Sequence, residues 1–300
     1  MTNATQLMGQ TRPERGRSAS SGTPSDAWPP PDSEETLMTE PVRYDVDGGV
    51  ATITLDRPEA MNGLDIATKV ALLAAVRRAA ADDAVRCVVL TGTGRAFCVG
   101  QDLKEHVEIL RDTSSEQLFN TVDEHYNPIV TALATMHKPV VAAVNGVAAG
   151  AGASLAFACD FRVLKETAGF NLAFTGVALS CDTGCSWTLP RLVGQSRATE
   201  LLYFPRTIGA AESLELGLAT TVAPEGEFET EVATLAARLA AGPTLSYGAI
   251  RRSVAYSAGH SFEESLEFES SMMTLTGATE DHQGAVEAFV AKQKPTFKGR

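Results

Sequence analysis

Two loops constrain this chain more than any other feature, because each follows a short apolar run and offers a ligand little beyond its own backbone. The first is Thr91-Gly-Thr-Gly-Arg-Ala-Phe-Cys-Val-Gly-Gln-Asp-Leu-Lys104 and the second is Asn145-Gly-Val-Ala-Ala-Gly-Ala-Gly-Ala-Ser154. Gly100 permits the tight backbone that exposes the next N–H. The second loop leads from a strand into an apolar helix beginning near Leu155, and a helix N-terminus carries unpaired N–H groups and a positive dipole end suited to developing negative charge. Each loop taken alone also fits an ordinary β-α turn in which small residues allow close helix packing.

The segments around these loops alternate between strand and helix patterns. Val42–Val46, the Gly48-Gly49 turn and Val50–Leu55 predict a β-hairpin. Ile66–Ala81 has helical spacing, and Cys87–Leu90 and Val140–Val144 predict short buried strands. Such alternation implies stacked β-α units in an α/β fold. Beyond Pro190 the pattern is chiefly helical: 196–204, 210–216, 228–241, 244–257, 262–276 and 280–290 carry apolar residues three or four apart. Residues 1–37, rich in Ser, Thr and Pro, predict a disordered leader, and a translation start at Met38 is an alternative. The expected organisation is therefore leader 1–37, core 38–195 and helical region 196–300.

At 300 residues and 44% hydrophobic composition the chain can bury a full core. Its 25 Lys+Arg against 37 Asp+Glu give a net charge of -12, which opposes non-specific binding to nucleic acid or to an anionic membrane, so an anionic substrate needs a local basic cluster. Cys87, Cys98, Cys159, Cys181 and Cys185 form an odd set without a C-x-x-C pair, as expected of reduced thiols in a cytoplasmic protein without a metal site. No apolar run approaches the roughly 20 residues that span a bilayer.

Four motifs, in order, resemble the crotonase superfamily of enoyl-CoA hydratases and isomerases: 57–62 (Arg-Pro-Glu-Ala-Met-Asn), 97–103 (Phe-Cys-Val-Gly-Gln-Asp-Leu), 138–153 (from Lys-Pro-Val-Val through Asn-Gly-Val-Ala-Ala-Gly) and 189–194 (Leu-Pro-Arg-Leu-Val-Gly). The resemblance covers about residues 42–300 and implies a spiral of β-β-α units with a C-terminal helical trimerisation region, assembled as a homotrimer or dimer of trimers. It implies an acyl-CoA substrate, with CoA part of the substrate and no separate cofactor. It also implies that the backbone N–H groups of Gln101 and Ala151 form an oxyanion hole. The CoA moiety would lie along Ala60 and Met61 and the segment Asp102, Leu103 and Lys104, with Lys292 contributed by a neighbouring subunit; Lys292 also fits a solvated helix end.

The hydratases of this superfamily use two glutamates to activate water, and the matching positions here hold Ser154 and Phe174. Neither can act as general base near neutral pH. Asp182, in Ser180-Cys-Asp-Thr-Gly184, is the alternative carboxylate, and its surroundings are similar to the phenylacetate-pathway isomerases that act on ring-1,2-epoxyphenylacetyl-CoA and shift enoyl-CoA double bonds. Cys181 stands where those relatives usually carry proline. The competing reading of Asp182 is an N-cap for a helix over 183–193. Asp160 reads as a paired structural carboxylate, the five histidines as surface or packing residues, and Cys181 and Cys185 as small packing groups. Isomerisation is the expected reaction, with hydration or non-catalytic acyl-CoA binding as alternatives, and the side chains at 101 and 151 are expected to matter little.

Overall fold

The computed structural model describes residues 40–112 and 114–300; the leader expected over 1–37 lies outside them. The hairpin expected at the start of the core is present, with β1 (Val42–Asp47) antiparallel to β2 (Val50–Leu55). Pairs of strands then follow along the chain: β3 (Cys87–Gly92) with β4 (Ala96–Cys98), β5 (Val140–Val144) with β6 (Val147–Ala149), and β7 (Phe161–Lys165) with β8 (Gly169–Asn171). The order reverses at β9 (Thr207–Gly209) and β10 (Thr221–Ala223). The first member of each pair enters a six-stranded sheet ordered β1-β2-β3-β5-β7-β10, and the second enters a four-stranded sheet ordered β4-β6-β8-β9. Each turn of the chain thus adds one strand to each of two sheets, which is the β-β-α spiral that the sequence resemblance implied.

Helices close each turn. They are α1 (Ile66–Ala81), α2 (Leu103–Asp112), α3 (Ser115–Thr121), α4 (Asn127–Thr135) and α5 (Ala151–Phe157) in the first half, with a π-helical turn, Val122–Tyr126, joining α3 to α4. They continue as α6 (Cys185–Val193), α7 (Gln195–Tyr203), α8 (Ala210–Glu215), α9 (Phe228–Ala240), α10 (Thr244–Ser257), α11 (Phe262–Gly277) and α12 (Glu280–Val290). The helices expected beyond residue 195 are all present to within one residue at either end. The exceptions to helix in that region are β9 and β10, which pair with β8 and β7 and so tie residues 207–223 to the core sheets. Three-residue strands are too short to show a period-2 pattern, so sequence spacing did not reveal them.

Side-chain alternation sends β3 into two cores. Val88 and Leu90 join the interior with Ile53, Leu72 and Val144, whereas Cys87 and Val89 face α9 through Phe228, Ala236 and Leu239. The tail is fastened from the far end of the sequence: the Arg86 guanidinium donates to Thr244 Oγ1 and to the Phe297 carbonyl, both at 3.0 Å. Asp281 accepts the N–H groups of Lys298 at 2.6 Å and Gly299 at 2.8 Å. On α10 to α12, Ile250, Val254, Phe262, Met273, Phe289 and Val290 are exposed.

Successive turns of the chain meet through main chain. A Cβ added to Gly152 would come within 2.1 Å of the Cys98 carbonyl oxygen, and one added to Gly146 within 2.1 Å of that of Arg95. Gly152→Ala is therefore expected to destabilise the fold by about 1–3 kcal/mol or more through overpacking against backbone that cannot retreat. Gly226→Ala, with nothing within 4 Å, is expected to be close to neutral. Urea unfolding of both variants measures the contrast, and equal midpoints would contradict the tight junction.

Candidate active site

The two glycine-bearing loops lie against each other. β4 and β6 run parallel, pairing Ala96 with Val147 and Cys98 with Ala148, and this brings the loop after each strand to the same end of the sheet. Gly100 sits at φ +82°, where a side chain would be strained, and a Cβ there would fall 2.9 Å from the Ala149 carbonyl oxygen and 3.1 Å from the Ala151 nitrogen. The residue after Gly100 is held by a short parallel bridge to Leu64: the Leu64 N–H donates to the Gly100 carbonyl at 2.8 Å, and the Asp102 N–H donates to the Leu64 carbonyl at 3.2 Å. That pattern uses the groups flanking Gln101 and turns the Gln101 N–H away from Leu64. Ala151 opens α5 directly after Gly150, so its N–H is among those that a helix leaves unpaired. Two N–H groups on touching loops, one at a helix N-terminus, form an arrangement able to hold developing negative charge.

The side chain of Gln101 is hydrogen-bonded in the interior. Its Oε1 accepts the Tyr126 hydroxyl at 2.8 Å and the Lys69 ammonium at 3.1 Å. Lys69 also donates to Thr121 Oγ1 at 2.8 Å, and its side chain is 1% exposed. Burial pulls the Lys69 pKa below its ordinary value, against Glu105, Asp65, Asp102 and Asp182, which push it back up. Sequence reading missed both Lys69 and Tyr126. A signal existed for the lysine, which shares its helix face with Leu72, Val76 and Ala79, all buried. The Ala151 methyl is buried in the core.

Asp182 lies on the turn before α6, which packs on α5. It does not cap that helix: α6 begins at Cys185 with Gly184 in the capping position and no side-chain cap, which removes the competing reading. Instead the carboxylate accepts the Thr183 hydroxyl at 2.9 Å. Thr183 is buried at φ +53°, and a β-branched residue there is strained, so the turn holds the carboxylate at a conformational cost. Burial raises the Asp182 pKa; the Thr183 hydroxyl, the residue's own N–H and the Lys69 charge oppose that rise. Tyr126 feels the Asp182 charge as well, so Asp182, Lys69 and Tyr126 share one electrostatic neighbourhood with Gln101 between the latter two. The two positions matching the hydratase glutamates hold no acid. Ser154 is fully buried and donates to the Gly150 carbonyl at 3.2 Å, and Phe174 is buried in the core.

The residues expected to face CoA fall into two groups. Ala60 and Met61 end a short 3-10 turn, Pro58–Ala60, with Met61 at φ 51°. The buried Asn62 beside them is bonded to the Thr93 and Ala96 carbonyls at 3.0 and 2.8 Å, so this turn is bound to the first glycine loop. Asp102, Leu103 and Lys104 open α2, with Leu103 and Lys104 exposed. The Asp102 carboxylate is occupied by Arg57 at 3.0 Å and by the Lys104 N–H at 3.0 Å. Burial would raise its pKa, but those bonds and the Glu105 N–H outweigh it and hold the group below the ordinary value. Arg95, exposed and 3.4 Å from the Met61 sulfur, is a further cation on this rim that sequence reading did not single out. Lys292 stands apart from this set, exposed beyond the end of α12 at φ 55°.

Other candidates resolve into structure. Asp160 accepts the Val140 N–H at 2.8 Å and the Arg251 guanidinium at 2.7 Å. Burial pushes the Cys185 thiol up to about 12 although Ser154 bonds to it, so it is a packing group rather than a thiolate. An apolar cavity of about 600 Å³, lined by Val130, Phe157, Gly184, Trp187, Ile250 and Val254, opens behind the Asp182 turn, and none of Gln101, Ala151 or Asp182 lines it. Among the described residues no cluster of three or more His, Cys, Asp or Glu can hold a metal, and no helix is long and apolar enough to cross a membrane.

Residues 45–300 match the family described as enoyl-CoA hydratase/isomerase. Over 259 residues the chain is 39% identical to a Rhodobacter capsulatus protein described as "Probable enoyl-CoA hydratase", covering 86% of this chain and 98% of that one. It is 35% identical over 263 residues to the 1,2-epoxyphenylacetyl-CoA isomerase of Escherichia coli K12, covering 88% and 100%. A crystal structure of an enoyl-CoA hydratase/isomerase-type protein from Mycobacterium abscessus superposes with a TM-score of 0.83 at 45% identity, covering 86% of this chain and 100% of that one. A match running from residue 45 to residue 300, with relatives covered over nearly their whole length, leads to one conclusion: the chain is a member of the enoyl-CoA hydratase/isomerase family.

Proposed function

We propose that this protein is an enoyl-CoA isomerase that moves a double bond by proton transfer through Asp182. The observation that carries the reading is the inventory of carboxylates: the two hydratase positions hold Ser154 and Phe174, whereas Asp182 is half-buried with a raised pKa next to the network that grips Gln101. A 3-enoyl thioester would bind with its carbonyl oxygen accepting the N–H groups of Gln101 and Ala151. The Asp182 carboxylate takes a proton from C2, and the C–H electron pair enters a dienolate whose charge rests on the thioester oxygen. The protonated Asp182 then returns the proton to C4, and the double bond ends between C2 and C3. Each fixed donor of this kind is worth about 3–4 kcal/mol by mutational precedent. A carboxylate base with a raised pKa also shortens the gap to the weakly acidic C–H.

The family and the names of its relatives support an acyl-CoA substrate, and among them the Escherichia coli relative is an isomerase. In this reading Ala60, Met61, Leu103 and Lys104 line the CoA path, joined by Arg95. Asp102 contributes through its backbone and through its hold on Arg57, and Lys292 serves a neighbouring subunit. The exposed apolar side chains of α10 to α12 support a homotrimer or dimer of trimers. Light scattering is expected to give a mass of three or six times 31.7 kDa, and a monomer would contradict this assembly.

Asp182→Asn is expected to reduce isomerisation of a 3-enoyl-CoA by at least about 100-fold, the lower range for losing a general base. Equal turnover, or efficient addition of water to crotonyl-CoA by the unmodified protein, would overturn the reading in favour of another base or of hydration. The same variant separates stability from catalysis. Because folding raises the Asp182 pKa, the fold favours the protonated form, and that contribution is complete below the unfolded pKa and lost as pH rises through the folded one. The neutral Asn is therefore expected to leave Tm at pH 7 equal or higher.

The base must be ionised, so kcat is expected to fall as pH drops through a value above the ordinary Asp pKa of about 3.9. Thr183→Val removes a bond that favours the anion and is expected to move this acid limb further up. A limb that stays in place would show that another group titrates.

A further inference from the structure

We infer that Lys69 is a positioning residue for the oxyanion site: through the Gln101 side chain it fixes the peptide whose N–H faces the thioester oxygen. The inference rests on the isomerase reading above and adds a role for a buried ion that the proton transfer does not use.

The geometry leaves the Gln101 amide little freedom. An ammonium can only donate, so the group 3.1 Å from Lys69 Nζ is the amide oxygen and not its nitrogen. The same oxygen also accepts the Tyr126 hydroxyl at 2.8 Å. These two donors come from different elements, α1 and the π-helical turn at 122–126, so the oxygen is pinned between layers that are themselves packed together. Lys69 is fixed in turn, with Nζ 2.8 Å from Thr121 Oγ1 and 5.2 Å from the centre of the Tyr126 ring. Thr121 shares a further bond of 3.2 Å with His125 Nδ1. On the main-chain side the Leu64 bridge holds the residues on both flanks of Gln101. The peptide is thus clamped by backbone on one side and by its own side chain on the other.

A buried ammonium is an expensive way to fill space, since leucine or methionine packs on a helix face without a desolvation penalty. What the ammonium adds is a directed pair of bonds and a positive charge beside a site where negative charge develops. Donors act in the transition state only when they need no rearrangement, and a displacement of about 1 Å can lower a rate about 100-fold. The charge has a second target in Asp182. That carboxylate is faced by Lys69 from α1, by Tyr126 from the π-helical turn and by Thr183 and Cys185 from its own turn and helix. Lys69 is faced in turn by Glu105 and Asp102 from the start of α2, by Asp65 from the start of α1 and by Asp182.

The test uses the full-length enzyme with Lys69→Met, Tyr126→Phe and the double variant, each compared by circular dichroism and Tm with the wild type. Lys69→Met is expected to lower kcat about 10- to 100-fold, the range seen when a supporting shell is removed, with KM changed far less. Its acid limb is expected to move to higher pH, because the charge that favours the Asp182 anion is gone. Tyr126→Phe is expected to lower kcat by a smaller factor and to leave the limb in place. The double variant is expected to fall short of the product of the two losses, since both act on one oxygen. A purely structural lysine would lower Tm but leave kcat well below Tm and the pH profile unchanged, and that result overturns the inference. Fully multiplicative losses overturn it too.

Binding of acetoacetyl-CoA, followed by the ultraviolet band of its enolate, reads the donor pair without turnover. A band in the wild type that weakens in Lys69→Met supports the inference even if Asp182 proves not to be the base. An identical band in both proteins overturns the inference while leaving the isomerase reading in place. A wild type that neither turns over 3-enoyl-CoA nor perturbs the band overturns the reading and this inference together.

Discussion

The rest of the site depends on a contact between two stretches of main chain. The loops after β4 and β6 can touch because Gly100 and Gly152 leave room for the carbonyls of Ala149 and Cys98, and the turns before the two strands touch because Gly146 leaves room for that of Arg95. Backbone meeting backbone fixes distance more tightly than side chains do, since no rotamer can absorb an error. The β-β-α spiral makes the contact possible, because consecutive turns deliver equivalent loops to the same end of the smaller sheet.

Around this rigid junction the protein keeps ionised groups that it can hold only with help. Lys69 and Asp182 oppose each other's desolvation at long range, and each relies on neutral partners for its hydrogen bonds: Gln101 and Thr121 for the cation, Thr183 for the anion. Thr183 adds strain to that arrangement, because a β-branched residue in the left-handed region persists only where its surroundings dictate it. The cost of burial and the cost of strain therefore fall on the same few residues, within reach of one carboxylate.

Much of this was legible in the sequence because it was local. The hairpin and α1 announce themselves by periodicity, and the glycine loops by composition. What escaped has a physical cause in each case. The strands at 207–209 and 221–223 are defined by partners more than 35 residues away, Phe170 and Leu164 among them, and three residues carry no period of their own. A helix cap competed with catalysis as the sequence reading of Asp182, because sequence cannot tell that Thr183 and Gly184 both turn left-handed, which detaches the carboxylate from the helix that follows. Lys69 was not singled out. Only its place on a face shared with Leu72 and Val76 marked it as interior, and its partners at 101, 121 and 126 are non-local.

In the proposed reading the charge-holding groups are peptide N–H groups, and such a site has an unusual relation to heritable change. Only proline, which carries no N–H, can delete such a group; any other substitution can only push it aside by putting a side chain where a glycine carbonyl contact leaves no room. Mutational risk is thus concentrated on Gly100, Gly146 and Gly152, where an added Cβ would meet a main-chain oxygen. On the proposed reading the fold itself supplies the donors, and the few side chains beside them supply the proton chemistry.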